Sequence, residues 1–188
     1  MVRRFLDRPV APDALERILT NATRAPSAGF SQGWAFVVLE GDHRRLFWET
    51  VRPGKPFDPS PGSLHAAAAV VLPLAHKQAY LDRYSRPDKA AFGLSDERRW
   101  PVPYWTVDVG FACQNMLLTA VDEGLGALFF GIFTGEAELL SRLGVPEGYH
   151  PIGALAVGHP MPGERSRPSL RTGRRPPAEV VHRGRWGG

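Results

Sequence analysis

The sequence predicts an α/β (α+β) fold in three layers, and three observations lead there. Short apolar runs suited to strands alternate with helical patterns along most of the chain. Two glycine-marked places, Gly29 and Gly131, lie far apart in sequence, so a single sheet must bring remote segments together. A hydrophobic fraction of 43% and a charged fraction of 22% over 188 residues suit one domain with a sizeable core, taken as 1–188.

Pro12 suits the first turn of a helix, and Asp13 and Glu16 suit its positive end. Leu15, Ile18, Leu19 and Ala22 form its apolar face, which runs to about Arg24. Then comes Arg24 to Glu40, RAPSAGFSQGWAFVVLE, in which Pro26 fixes its own φ and Gly29 permits a close backbone approach. Ser27, Ser31 and Gln32 add short polar groups. The segment reads either as a loop that holds a ligand or as a tight helix-to-strand connection. Trp34 to Leu39 reads as a strand buried on both faces. Asp42 is placed to cap a helix containing Leu46, Phe47 and Val51, which Arg52-Pro53-Gly54 ends, and Lys55 to Ser63 reads as a surface loop.

His65 to Leu74 leads into a second buried strand, with Pro73 expected at its end, and His65 itself reads as a surface or cap residue. The stretch 76–105 is irregular, charged and aromatic, with Tyr80, Tyr84, Phe92, Trp100, Tyr104 and Trp105. It reads as a cover over a pocket or as a dimer-packing excursion. Val107 to Glu123 is the longest helical pattern, apolar almost all round, with Asp108, Gln114, Asn115 and Asp122 left for solvent; Cys113 reads as a core residue. Gly124 caps it. Ala127 to Phe133 is a strand interrupted by Gly131, Glu136 to Leu143 a short helix, and Pro151 to Gly158 the last strand. The segment 160–188 leaves as an extended arginine-rich tail.

Several function classes lose support at once. One cysteine allows no intrachain disulfide, and no apolar run is long enough for a membrane span, so a reducing, cytoplasmic setting is expected. Zinc-binding, P-loop, dinucleotide-fingerprint and nucleophile-elbow motifs are missing, and no metal site or catalytic side chain is expected. The net charge of +4 is a tail property. From Met161 onward seven arginines face two glutamates, leaving the tail at +5 and the preceding 160 residues at −1. A nucleic-acid partner is therefore not expected, and the tail either stays solvated or brings arginine to a phosphate on a small ligand. With so few acid–base residues, a bound organic cofactor is the economical source of chemistry.

The APSAG-x-x-Q-x-W-x-F stretch resembles the flavin-binding loop of the nitroreductase-like FMN oxidoreductases. Further matches follow in order: Val2-Arg3-Arg4-Phe5, Asp108-x-x-x-Ala112-x-Gln114-Asn115-x-Leu117-Leu118, Glu123-Gly124-Leu125-Gly126, Gly131-x-Phe133, Gly158-His159-Pro160 and Gly173-Arg174-Arg175-Pro176. The resemblance implies a nitroreductase-like three-layer sandwich with a central mixed sheet, a long central helix and the extended tail. It implies a homodimer that shares its flavin sites, with FMN as cofactor and NAD(P)H as reductant. The implied reaction is ping-pong hydride transfer to nitroaromatic, quinone or related small-molecule acceptors, with aromatics of the 76–105 cover setting acceptor preference.

Carried over residue by residue, Pro26, Ser27, Ala28 and Gly29 resemble the loop beside the flavin, with Gln32 close by. Phe130, Gly131 and Ile132 resemble the backbone segment at the reactive ring edge. Arg3 resembles an N-terminal phosphate ligand, and Arg174, with Arg171 or Arg175, the tail arginine on the phosphate. There are two departures from the family pattern. An Arg-Arg or Arg-His pair usually stands just before the position of Met1, so either the start lies too far downstream or flavin is held more weakly or with help from Arg4. Phe30 stands where many relatives have Asn. The alternatives are a different flavin chemistry on the same fold (oxygen-dependent, dehydrogenating or flavin-cleaving) and a non-catalytic flavin- or deazaflavin-binding protein.

Overall fold

The computed structural model describes residues 1–51, 60, 62–163 and 173–187. Helix α1 (Pro12–Ala22) starts at its proline and buries Ala14, Leu15, Ile18 and Ala22. It leads through the small-residue loop to β1 (Trp34–Glu40), followed by α2 (Gly41–Thr50) and β2 (Ala69–His76). Next come α3 (Lys77–Ser85), α4 (Tyr104–Asp122) and β3 (Gly126–Phe130). The remaining elements are α5 (Glu136–Arg142), β4 (Tyr149–Pro151), β5 (Ala154–Gly158) and, in the tail, α6 (Pro177–Val180). None of the described helices is long and apolar enough to cross a membrane.

The strands lie in the order β1-β2-β5-β3, with β4 also on β2. Alternation along the strands divides the core in two, as the pleat requires. Ala69, Val71, Ala75, Leu155, Val157 and Ala127 pack with α1 and α4. Val70, Leu72, Leu74, Ala154, Ala156, Leu128 and Phe130 pack with Phe47, Trp48 and Leu139 of α2 and α5. Helices therefore cover both faces, and the expected three-layer arrangement is present.

The sheet itself was expected to be mixed, yet every described pairing is antiparallel. The reason is topological. The crossover through α4 joins β2 to β3, which run the same way, but β5 inserts between them and leaves no parallel neighbours.

Three strand expectations also change. The strand at residues 34–40, expected to be buried on both faces, is an edge strand in which only Leu39 is fully buried. Pro73 lies inside β2 and not at its end. The last strand is split: Pro151 faces Leu74 while Leu155 faces Val71, so one extra residue bulges out around Ile152-Gly153. These two facts explain each other. The Ile152 N–H donates to the Pro73 carbonyl at 3.2 Å, so Pro73 turns its hydrogen-less nitrogen toward the bulge, where no regular ladder acceptor awaits it.

Helix boundaries shift as well. Asp42 is not the cap of α2; it lies inside the first turn and pairs with Arg45 at 3.1 Å. The expected helix stop at Arg52-Pro53-Gly54 and most of the Lys55–Ser63 loop lie outside the described residues. Beyond 160, residues 173–187 are almost wholly exposed and include the single turn α6.

Candidate functional site

The loop 26–33 concentrates unusual backbone. Gly29, Phe30 and Gln32 all have positive φ (61°, 56° and 50°), and the latter two are the non-glycine residues of this kind among the described residues. L-residues resist that region, so the surrounding structure must hold them there. A Cβ on Gly29 would lie 2.7 Å from the Tyr84 ring, and one on Gly33 2.5 Å from the Tyr80 ring and 2.7 Å from the His76 carbonyl. The loop is thus pressed against α3.

Two side chains, Asp108 and Arg83, hold it from outside. The Asp108 Oδ2 accepts both the Ala28 N–H at 2.8 Å and the Tyr80 hydroxyl at 2.8 Å. Arg83 Nε donates to the Gly29 carbonyl at 2.9 Å, and its two terminal nitrogens lie on the Asp88 carboxylate at 2.9 and 2.7 Å. Within the loop, Gln32 N–H donates to Ser27 Oγ at 2.8 Å, and Ser31 Oγ to the Ala28 carbonyl at 2.7 Å. Burial is the main cause that drives the Tyr80 phenol well above its ordinary pKa. Burial likewise pushes the Cys113 thiol up to about 12, in keeping with a core residue.

Asp108 was expected to face solvent and is only 2% exposed. Its carboxylate satisfies donors from two other elements, which a helical projection of α4 alone does not reveal. The irregularity expected for the 76–105 stretch is corrected in part. It begins inside β2 and continues as a regular helix, α3, and its aromatics form a connected cluster. Tyr84 meets Trp100 edge-on at 4.9 Å, and Trp100 in turn neighbours Tyr80, Tyr104 and Trp105. The segment braces the loop from behind; Phe92 is left exposed.

The predicted site residues fall into separate groups. Pro26 and Gln32 are exposed, and Ser27, Ala28 and Gly29 are half-buried, all at the start of β1. Phe130 sends its ring into the core, stacked on Trp48 at 5.7 Å, while Gly131 and Ile132 continue past the end of β3. These two groups lie at the same end of the sheet but on opposite edges, because Trp34 faces Ala75 of β2 and Phe130 faces Ala154 of β5. Three strand spacings, about 14 Å, separate those two edges within one chain.

Arg3 follows Val2, whose N–H donates to the Ala127 carbonyl at 3.0 Å, so Arg3 stands beside the outer edge of β3 at the end remote from Gly131. Arg4 gives its carbonyl to Met161 N–H. In the tail, Arg174 is exposed and has no partner among the described residues. Arg175 pairs with Glu179, and Arg171 lies outside the described residues. Tyr80, Arg83 and Asp108 were missed as loop-holding residues. For Asp108 the signal was its place at the head of the Asp108-x-x-x-Ala112 motif, although the aspartate itself was left to solvent.

The model of the Nitroreductase family matches residues 1–159. An Archaeoglobus fulgidus protein provisionally named NADH dehydrogenase/NAD(P)H nitroreductase is 26% identical over 162 residues, which is 85% of this chain and 79% of that one. The crystal structure of a provisionally named nitroreductase in complex with FMN, from Desulfovibrio desulfuricans, is 25% identical with a TM-score of 0.68, covering 96% of this chain and 88% of the other. A structure described as an oxidoreductase containing FMN shares the fold with a TM-score of 0.74 at 21% identity, covering 100% and 89%.

Proposed function

The chain belongs to the nitroreductase family, and from that premise we propose that it is an FMN-dependent NAD(P)H oxidoreductase, acting as a homodimer on nitroaromatic, quinone or related small acceptors. The observation that carries this reading is the pair of half-sites at one end of the sheet. The held, left-handed loop at Gly29 stands on one edge, and the Gly131 end of β3 on the other. Two copies complete each site when the loop of one protomer faces the β3 end of its partner.

The residues fit FMN. Along the outer edge of β3 the backbone leading to Arg3 is held at Ala127 through the Val2 N–H, and a glycine backbone, Gly131, lies four residues beyond Ala127, about 13 Å away. A mononucleotide with a phosphate at one end and a flat ring at the other matches such a two-ended set. A Cβ on Gly131 would meet the Phe133 ring at 2.8 Å, and that ring is 84% exposed, so the approach to the Gly131 backbone is bounded by a movable side chain. When bound, FMN supplies the exchange of reducing equivalents between NAD(P)H and acceptor.

In this reading Ser27, Ala28 and Gly29 present loop backbone to the ring, with Pro26 shaping the loop and Gln32 adjacent. Phe130 anchors the Gly131-Ile132 segment in the core, and the Gly131 backbone offers a donor toward the ring edge. Arg3 and Arg174 hold the phosphate. The exposed apolar residues Phe111, Leu118 and Val121 of α4 support a second copy covering that helix.

The test is the visible spectrum of the purified protein after FMN is added and the excess removed. Retained flavin bands that bleach with NADPH or NADH, together with steady NAD(P)H oxidation in the presence of a quinone, are expected. A protein that keeps no flavin sinks the proposal.

A further inference from the structure

We propose that Asp108 is a positioning residue for the flavin loop, setting through its bond to the Ala28 N–H which loop donor is left for the cofactor. The inference rests on reading residues 26–32 as that loop. A carboxylate 2% exposed in the second turn of α4 is costly to bury, and it makes no ion pair with a described Lys, Arg or His. An apolar residue would pack α4 against α1 and the sheet equally well. What the carboxylate adds is a bridge from α4 to α3, through the Tyr80 hydroxyl, and to the loop, through Ala28 N–H.

The donors of the loop show what the bridge accomplishes. Ala28 N–H goes to Asp108, Phe30 N–H to the Ser27 carbonyl, Ser31 N–H to the Ala28 carbonyl and Gln32 N–H to Ser27 Oγ. The Gly29 N–H has no acceptor among the described residues. Arg83 meanwhile ties down the Gly29 carbonyl, so the peptides on both sides of Ala28 and Gly29 are held from the protein side. With three left-handed residues between Gly29 and Gln32, the loop has other accessible shapes, and the Asp108 and Arg83 contacts select this one. The geometry assigns the unused Gly29 N–H to a polar atom of the flavin.

The experiment compares wild type with Asp108→Ala, Asp108→Asn and Met116→Ala. Met116 is buried in the same helix without touching the loop contacts, so its variant reports a plain core defect. Two readouts are taken: FMN affinity and absorption spectrum, and amide hydrogen exchange at Ala28 in the flavin-free protein. Asp108→Ala is expected to bind FMN about tenfold more weakly, with shifted bands and fast exchange at Ala28. Asp108→Asn, whose amide oxygen still accepts from Ala28, recovers most of both, and Met116→Ala keeps wild-type affinity per folded molecule. Unchanged affinity and exchange in Asp108→Ala, or an equal loss in Met116→Ala, overturns the proposal. If wild type takes up no FMN, the flavin reading fails by itself, and exchange at Ala28 still decides whether Asp108 holds the loop.

Discussion

Phe30 is the residue most at odds with its own backbone: φ is +56°, and 74% of the side chain is exposed. A bulky L-residue there costs about 1 kcal/mol relative to one that tolerates the left-handed region. Phe30→Asn is therefore expected to raise the melting temperature by roughly 2–4 °C, since asparagine accepts this backbone. The same substitution adds an amide at the loop and should tighten FMN binding, measured by fluorescence titration. Cys113 gives a pH prediction. Its thiol is held neutral up to about 12 by burial, while an unfolded cysteine ionises near 9.0. Between those values the native state binds more protons than the unfolded one, so stability is fully present below about pH 9 and falls as pH rises toward 12. Urea unfolding across that range checks the slope, and thiol reagents at neutral pH should label the protein only when it unfolds. The departure at Phe30 was visible in the sequence. The partnership of Tyr80, Asp108 and Ala28 was not, because a buried carboxylate and a solvated one look alike until the donors around them are placed.

The β1 end of the loop depends on a close fit between elements. Gly33 has ordinary φ, but a Cβ there would press on the Tyr80 ring and on the His76 carbonyl, a backbone atom that already accepts no shift without disturbing β2. Gly33→Ala is expected to destabilise by about 1–3 kcal/mol, read from the urea midpoint, and to loosen the loop. The helices and strands were largely legible, since Ile18, Leu72 and Met116 sit in apolar patterns of the right period. Edge and centre were not: Trp34–Leu39 and Val70–Leu74 are equally apolar, and only pairing shows that the first lies outermost. Pro73 misled for a related reason. Proline argues against a strand interior unless a neighbour bulges, and the bulge at Ile152-Gly153 belongs to a segment nearly eighty residues away. Arg83 and Tyr84 were hidden in a stretch without one dominant period, because α3 buries only Tyr80 and so carries a weak apolar stripe.

For the assembly, the apolar face of α4 is the feature to probe. Leu118 and Val121 of that helix are 60% and 70% exposed in the single chain. Leu118→Arg is expected to yield a folded monomer by sedimentation and to lose bound FMN together with the dimer. Wild-type elution and full flavin retention in that variant would count against shared sites. If two copies share their sites as proposed, the arrangement of Gly29 and Gly131 on opposite edges has a genetic consequence as well. Take one variant defective only in the loop and a second defective only at residues 131–132, each inactive as its own dimer. In a mixed dimer one site collects both lesions and the other collects none. Co-expression of two dead alleles should then restore about a quarter of wild-type activity, whereas two alleles with lesions in the same half-site should never rescue each other.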